Sequence, residues 1–150
     1  LENAETLDAL RKLIKTEPVL KGKPAQRQQE ERLPYRQFAF NGYDILVGKG
    51  AADNDALTFR HSHKEDIWLH AKDVTGSHVI VRKQGKHAPP EAVLEHAASL
   101  AAWYSKAKHS SLVPVAYTPR KYLRKSKRMA PGQVVVEREQ VLMVSPEKPA

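Results

Sequence analysis

The first apolar positions of the chain recur at intervals of three and four residues, the spacing of one face of a helix. These positions are Leu7, Leu10, Leu13 and Ile14. Pro18 is expected to end the helix, so the pattern predicts an amphipathic helix over residues 1–20. Residues 21–34 are polar and contain proline, which is typical of a linker. Because the chain opens on Leu1, we expect it to be part of a larger parent chain.

The next segment alternates in a way that predicts a β-hairpin. Residues 35–40 and 43–47 form its strands, and Asn41 with Gly42 supplies the turn, a dipeptide common in tight hairpins. A short helix carrying Leu57 and Phe59 is expected to follow. Its N-terminal cap is predicted among Asp53, Asn54 and Asp55, because such side chains accept bonds from the first helical N–H groups.

The remaining segments predict a sheet with one further, longer helix. Residues 66–73 alternate as a strand, and residues 77–82 form its partner across a turn. Pro89 and Pro90 introduce an alanine-rich run without internal glycine or proline, which predicts a helix over residues 91–108. Short apolar runs predict further strands at residues 113–117, 133–136 and 141–144. The expected fold class is therefore α+β, a small mixed β-sheet on which one long and one short helix pack.

The strand at residues 66–73 divides its side chains between two faces. Ile67, Leu69 and Ala71 are expected to be buried on one face, which leaves Trp68, His70 and Lys72 on the other. An open second face would make Trp68 a stacking platform for bases. A sheet covered on both faces would instead bury Trp68 in the core, and the pattern is compatible with either arrangement.

Length and composition narrow the class of protein. A chain of 150 residues can bury one core of ordinary size, so we expect one domain, residues 35–145, with a short tail at residues 146–150. Cysteine is absent, which excludes disulfides and thiolate chemistry. The sequence contains no apolar run long enough to cross a bilayer. A cytoplasmic protein without a membrane partner is expected.

The positive charge is concentrated in one segment. Residues 101–130 contain no acidic residue and supply the whole net charge of +8, since the rest of the chain is balanced. Such a concentration favours a polyanionic partner, and the neighbouring Tyr122 is suited to stacking on a base or ribose. The cations, which we expect to contact RNA phosphates, are Lys106, Lys108, Arg120, Lys121, Arg124, Lys125, Lys127 and Arg128.

Three strings of this sequence resemble the NFACT-R domain, the RNA-binding module of the RqcH and NEMF family of ribosome quality-control factors. They are VGKGAADNDALTF, KEDIWLHAKDVTGSHVIV and RKYLRKSKRMAPGQV, in the family's order over about residues 35–145. The basic loop departs from the family's lysine-proline-lysine-glycine character, because residues 125–129 read KSKRM. Members of the wider family also carry the name fibronectin-binding protein.

The resemblance implies a cytosolic parent factor that binds the large ribosomal subunit with stalled peptidyl-tRNA, recruits tRNA and promotes C-terminal tailing. This module would contribute the contacts to tRNA or ribosomal RNA, through the basic segment and through Trp68, His70, Lys72 and His78. No catalytic residue, cofactor or metal is assigned. Two alternatives stay open at this point. The basic segment could dock on an acidic protein, or Asp66, His70, Asp73 and His78 could form the metal site of a nuclease.

Overall fold

The structure, a computed structural model, describes residues 32–149. The predicted helix over residues 1–20 and most of the predicted linker lie outside the described residues. Within the described part the fold is α+β, as predicted: an antiparallel six-stranded sheet and two α-helices, together with a two-stranded ribbon.

The strands of the sheet are β1 (Tyr35–Phe40), β2 (Tyr43–Gly48), β3 (Ile67–Ala71), β4 (Val79–Val81), β5 (Val113–Pro119) and β8 (Gln140–Val144). Their order in the sheet is β1-β2-β4-β3-β5-β8, and each pair of neighbours is antiparallel. A separate ribbon pairs β6 (Leu123–Arg124) with β7 (Val135–Val136). The helices are α1 (Ala51–Arg60) and α2 (Glu91–Trp103), and a 3₁₀ turn covers Arg120–Tyr122.

The predicted hairpin is confirmed with its turn. Phe40 pairs with Tyr43, and Asn41 and Gly42 both adopt positive φ, at 50° and 83°. A two-residue turn of this kind matches the twist of the flanking strands, and asparagine and glycine tolerate its left-handed backbone better than other residues.

One face of the sheet is covered by α2. Leu69, Ala71 and Val79 pack with Ala97 and Ala101 of the helix in the larger hydrophobic cluster, and all of these side chains are buried. The small side chains of α2 allow the helix to approach the sheet closely. Of the three residues predicted to be buried on this face, Leu69 and Ala71 are buried and Ile67 is only partly buried.

The opposite face is covered by α1 and by the ribbon. Leu46, Leu57, Ile80 and Leu123 form a second hydrophobic cluster, and Trp68 lies among them with 3% of its surface exposed. The sheet is thus covered on both faces. Of the two arrangements considered for Trp68, the structure has the one in which this side chain is buried in the core. The ribbon, which comes about fifty residues later in the chain, supplies part of this cover.

Two helix ends differ from the prediction. Gly50, not Asp53, Asn54 or Asp55, is the N-terminal cap of α1, and Asn54 is buried inside the helix. The long helix ends at Trp103, because Ser105 pairs with Gly76 and the Lys106 N–H donates to the Thr75 carbonyl at 2.9 Å. These contacts outweigh the helix propensity of residues 104–108.

Among residues 32–149, neither helix is long and apolar enough to span a membrane.

Candidate nucleic-acid interface

A loop at residues 125–134 connects the two strands of the ribbon and carries Lys125, Lys127 and Arg128; we call it the basic loop. Lys125 fastens the base of this loop. Its Nζ lies 3.2 Å from the Asp55 Oδ2 atom of α1 and donates to the carbonyls of Ala130 and Gln133, each at 2.8 Å. Lys125, predicted to contact phosphate, is therefore engaged within the protein, and only 20% of its side chain is exposed.

His78 provides a second anchor for the basic loop. Its Nε2 lies 2.9 Å from the Gly132 carbonyl and must donate, because a carbonyl only accepts. Its Nδ1, 2.8 Å from the Thr58 Oγ1, then accepts from that hydroxyl. A neutral imidazole thus joins α1 to the basic loop. His78 is 1% exposed, so in this structure its side chain contacts the protein and is not open to RNA.

Other cations of the basic segment pair with partners distant in sequence. Lys121 Nζ lies 3.1 Å from Glu65 Oε2, and Arg124 Nη2 lies 3.6 Å from Glu137 Oε1. Arg120 donates from Nε to the Thr58 carbonyl at 2.9 Å, and its guanidinium lies over the Phe59 ring. Residues 101–130 contain no acidic residue, yet the fold brings glutamates from other parts of the chain beside their cations.

The aromatic residue predicted for stacking, Tyr122, is half-buried beside the ribbon. Two cations already lie over its ring, Lys121 at 5.5 Å and Arg138 at 4.8 Å from the centroid. A base that stacks on this ring would compete with these cations for its faces.

Four predicted cations remain exposed and form no ion pair within the described part of the chain: Lys106, Lys108, Lys127 and Arg128. Lys127 and Arg128 form the tip of the basic loop. Lys106 and Lys108 lie in the turn after α2, where Lys108 Nζ is 5.0 Å from the centroid of the Trp103 ring. These four side chains are the ones available to neutralise phosphates.

A cleft of about 840 Å³ opens beside the basic loop. Its floor is formed by Trp68 and His70 of β3 and by His78, which precedes β4. Its walls are Gly50, Ala51 and Asn54 at the start of α1, the turn at residues 72–77 and the loop residues 129 and 131–134. We refer to it as the cleft. The Trp68 and His70 rings are parallel within 5°, with centroids 5.9 Å apart.

The remaining predicted residues lie at this cleft. His70 is half-buried, and burial lowers its pKa below the ordinary value, so the ring is neutral near pH 7. Lys72 lines the cleft but forms an ion pair with Glu139 across it, at 2.5 Å. This ion pair raises the pKa of Lys72.

The four residues considered as a metal site do not converge. Asp66 precedes β3 and accepts from the N–H groups of His63 and Lys83, at 2.8 and 2.9 Å. His70 and His78 lie near the other end of the strand pair, with ring centroids 5.6 Å apart. Among residues 32–149 no group of three histidine, aspartate or glutamate side chains is placed to hold a metal ion.

The sequence reasoning missed the residues at the start of α1. Lys49 is exposed, Gly50 and Ala51 line the cleft, and the Asn54 side chain bridges two segments. Its Oδ1 accepts from the His78 N–H at 3.1 Å, and its Nδ2 donates to the Gly76 carbonyl at 3.3 Å. The Gly-Lys-Gly sequence at residues 48–50 was the available signal, because glycine marks a close approach of backbone.

The neutral state of His78 predicts that stability falls in acid. Burial, reinforced by the nearby His70, lowers the pKa of His78 from 6.5 to about 4. Above pH 6.5 the ring is neutral in both states, and between pH 6.5 and about 4 only the unfolded chain takes up the proton. The free energy of unfolding should therefore fall by about 3 kcal/mol over this range from His78 alone.

Urea unfolding between pH 7 and 4 tests this for the wild type, for His78→Gln and for His87→Gln, which alters an exposed histidine. The wild type and His87→Gln should lose stability more steeply than His78→Gln. Parallel curves for all three would show that His78 does not cause the loss.

The comparison with known families and proteins agrees with this fold. Residues 34–138 match the family described as the NFACT protein RNA binding domain. This chain belongs to the NFACT RNA-binding domain family. The match includes both helices, the basic loop and every residue that lines the cleft except Glu139.

Proteins similar to this NFACT domain are much longer. The Rqc2 homolog RqcH of Bacillus subtilis is 38% identical over 129 residues, which is 85% of this chain and 22% of that protein. The Rqc2 homolog RqcH of Streptococcus suis is 37% identical, over 93% of this chain and 25% of that protein. This chain thus spans about a quarter of these relatives.

A solved structure gives the same fold. It is described as the C-terminal part of the fibronectin/fibrinogen-binding protein from Streptococcus suis. It matches with a TM-score of 0.72 and 40% identity, over 80% of this chain and 48% of that one.

Proposed function

We propose that this domain binds structured RNA, either tRNA or ribosomal RNA of the large subunit, through the exposed cations at the tip of the basic loop. The observation that carries the proposal is the position of Lys127 and Arg128, exposed and without ion pairs in the part of the chain that the structure describes. Membership of a family named for RNA binding supports it.

Exposed cations are present on more than one side of the cleft. Lys127 and Arg128 immediately precede the wall residue Met129, and Lys49 immediately precedes the wall residue Gly50. Lys106 follows Ser105, which pairs with the wall residue Gly76. A polyanion that follows the rim can therefore contact several lysines and arginines at once. Contacts of this kind position RNA by its shape and read little sequence.

The parent protein, by its similarity to RqcH, is proposed to be a cytoplasmic factor of ribosome-associated quality control that acts on stalled large subunits and in C-terminal tailing. Within that factor the domain acts as a binding module without chemistry of its own. The separation of Asp66 from His70 and His78 supports a binding module over a metal-dependent nuclease.

The proposal predicts salt-sensitive binding of tRNA by the 150-residue chain. Fluorescence anisotropy with labelled tRNA should give a linear fall of log affinity with log salt, with a slope of about −3 to −4, if the four exposed cations each displace a counterion. Absence of binding at low salt would contradict the proposal. A slope near zero would exclude phosphate contacts as its basis.

A further inference from the structure

We propose that the cleft is a binding site for a single unstacked nucleotide of the RNA. This inference rests on the proposed function and names the part of the RNA that enters the protein. The size of the cleft, a buried donor on its floor and the cations that lead to it support such a site.

The dimensions and the lining of the cleft suit an aromatic ring with polar edges. Its volume of about 840 Å³ lies within the range of roughly 300–1,000 Å³ typical of small-ligand sites. The floor and the side below the ribbon are apolar or aromatic, formed by Trp68, Ala116, Val134 and Val136. Flipped-out bases are held between such side chains in proteins that bind single nucleotides.

Trp68 supplies a hydrogen-bond donor that the protein leaves unused. Its Nε1–H is buried and has no acceptor within residues 32–149, although buried indole groups usually have one. A buried donor without a partner costs free energy, so a ligand that places an acceptor beside it would recover that cost on binding. The carbonyl oxygens and ring nitrogens of the nucleobases are acceptors of this kind.

The two sides of the cleft differ in charge, as the two ends of a nucleotide do. On the side of β2, Gly50 and Ala51 form the start of α1, where the N-cap residue Gly50 has no side chain and the helix dipole favours a phosphate. Lys49 adds a positive charge there and offsets Asp53 of the same turn. On another side lies Asp73, whose carboxylate can accept bonds from the amino groups of a base, whereas the Glu139 carboxylate is already paired with Lys72.

The basic loop connects this site to the RNA backbone. Its tip, Lys127 and Arg128, is followed directly by the wall residues Met129, Pro131 and Gly132. A strand held at the tip by its phosphates therefore passes the mouth of the cleft and can place one base in it.

A matched pair of charge substitutions tests the site. Ala51 and Ala52 are neighbours, both are exposed, and only Ala51 lines the cleft. A glutamate at either position adds one negative charge to the first turn of α1, where acidic residues stabilise a helix. Ala51→Glu places this charge where the phosphate would lie and should weaken binding about tenfold, whereas Ala52→Glu should stay within about twofold of the wild type.

The probes are the four 5′-mononucleotides and a single-stranded RNA oligonucleotide, added to the 150-residue chain. The readout is the NMR signal of the Trp68 indole N–H, which is assigned by its persistence in Trp103→Phe. Binding should shift this signal in a saturable way and leave the Trp103 signal in place.

The outcomes separate this inference from the proposed function. If RNA binds while the Trp68 signal stays unchanged, or if Ala51→Glu and Ala52→Glu bind alike, the cleft is not a nucleotide site and RNA binding by the basic loop stands. If nucleotides shift the Trp68 signal but tRNA does not bind, the cleft is a nucleotide site and the proposed function is wrong.

Discussion

Replacing Lys127 and Arg128 together by alanine is expected to weaken tRNA binding about tenfold and to reduce the magnitude of the salt slope by about two. Both side chains are exposed at the tip of the basic loop and form no ion pair among residues 32–149, so each can displace a counterion from a phosphate. Anisotropy titrations of the variant and the wild type over a series of salt concentrations measure both quantities.

The control for this prediction removes the same charge from other positions. Lys121→Ala with Arg124→Ala also deletes two cations, but these pair with Glu65 and Glu137. Because each of these cations is already partly neutralised by its glutamate, it displaces few counterions from RNA. The magnitude of the salt slope should therefore change by less than about one. Equal losses for the two double variants would show that net charge matters and the loop tip does not.

Gly48→Ala is expected to lower the free energy of unfolding by about 3 kcal/mol, through overpacking and the loss of buried hydrogen bonds. A Cβ at this position would overlap the Oδ1 atom of Asn54 and would lie 3.2 Å from its Cα. Asn54 would have to give up its bond to the His78 N–H, which leaves a buried donor unsatisfied. The floor of the cleft and the anchor of the basic loop depend on the same residues.

Gly50→Ala is the matched comparison for Gly48→Ala, two residues away. The nearest atom to its added Cβ is Asp53 Oδ2 at 3.8 Å, and its φ of −177° is extended backbone that any residue adopts. The free energy of unfolding should change by less than about 1 kcal/mol. Urea unfolding of both variants checks the pair, and similar stabilities would mean that Asn54 does not hold this junction.

Most of the fold follows from local patterns in the sequence. The sequence predicts the hairpin at residues 35–47, the alternation of β3 and the helix after Pro90. These elements can be predicted because the spacing of apolar residues and the preferences of turn residues are local, over a few positions. The end of α2 was missed, since it depends on the pairing of Ser105 with Gly76, which lies far away in sequence.

The candidate site was harder to predict, because charge counted along the chain differs from charge in the fold. Residues 101–130 contain no acid, yet Asp55, Glu65 and Glu137 pair with cations of this segment. Only the tertiary structure shows which lysines and arginines remain available. The cover of Trp68 was unpredictable for the same reason, since it involves α1 and the ribbon together.

The base of the basic loop is held in place by contacts with the rest of the domain. Lys125 and His78 were predicted to contact RNA, but in the structure they connect the loop to α1. Lys125 pairs with Asp55, and His78 bonds Thr58 and the loop carbonyl of Gly132. A loop held at its base loses less conformational entropy when its tip binds a ligand. The structural role of these two residues therefore supports the binding role of the tip.

Competition between tRNA and an acidic polypeptide separates RNA binding by this domain from docking on an acidic protein. Labelled tRNA is bound to the 150-residue chain, and either unlabelled tRNA or poly-L-glutamate is added at equal charge concentration. The account predicts that unlabelled tRNA displaces the label and that poly-L-glutamate does so at least about tenfold less effectively, since phosphates spaced along a helix fit the loop tip and the cleft. Equal displacement by the two competitors would contradict it.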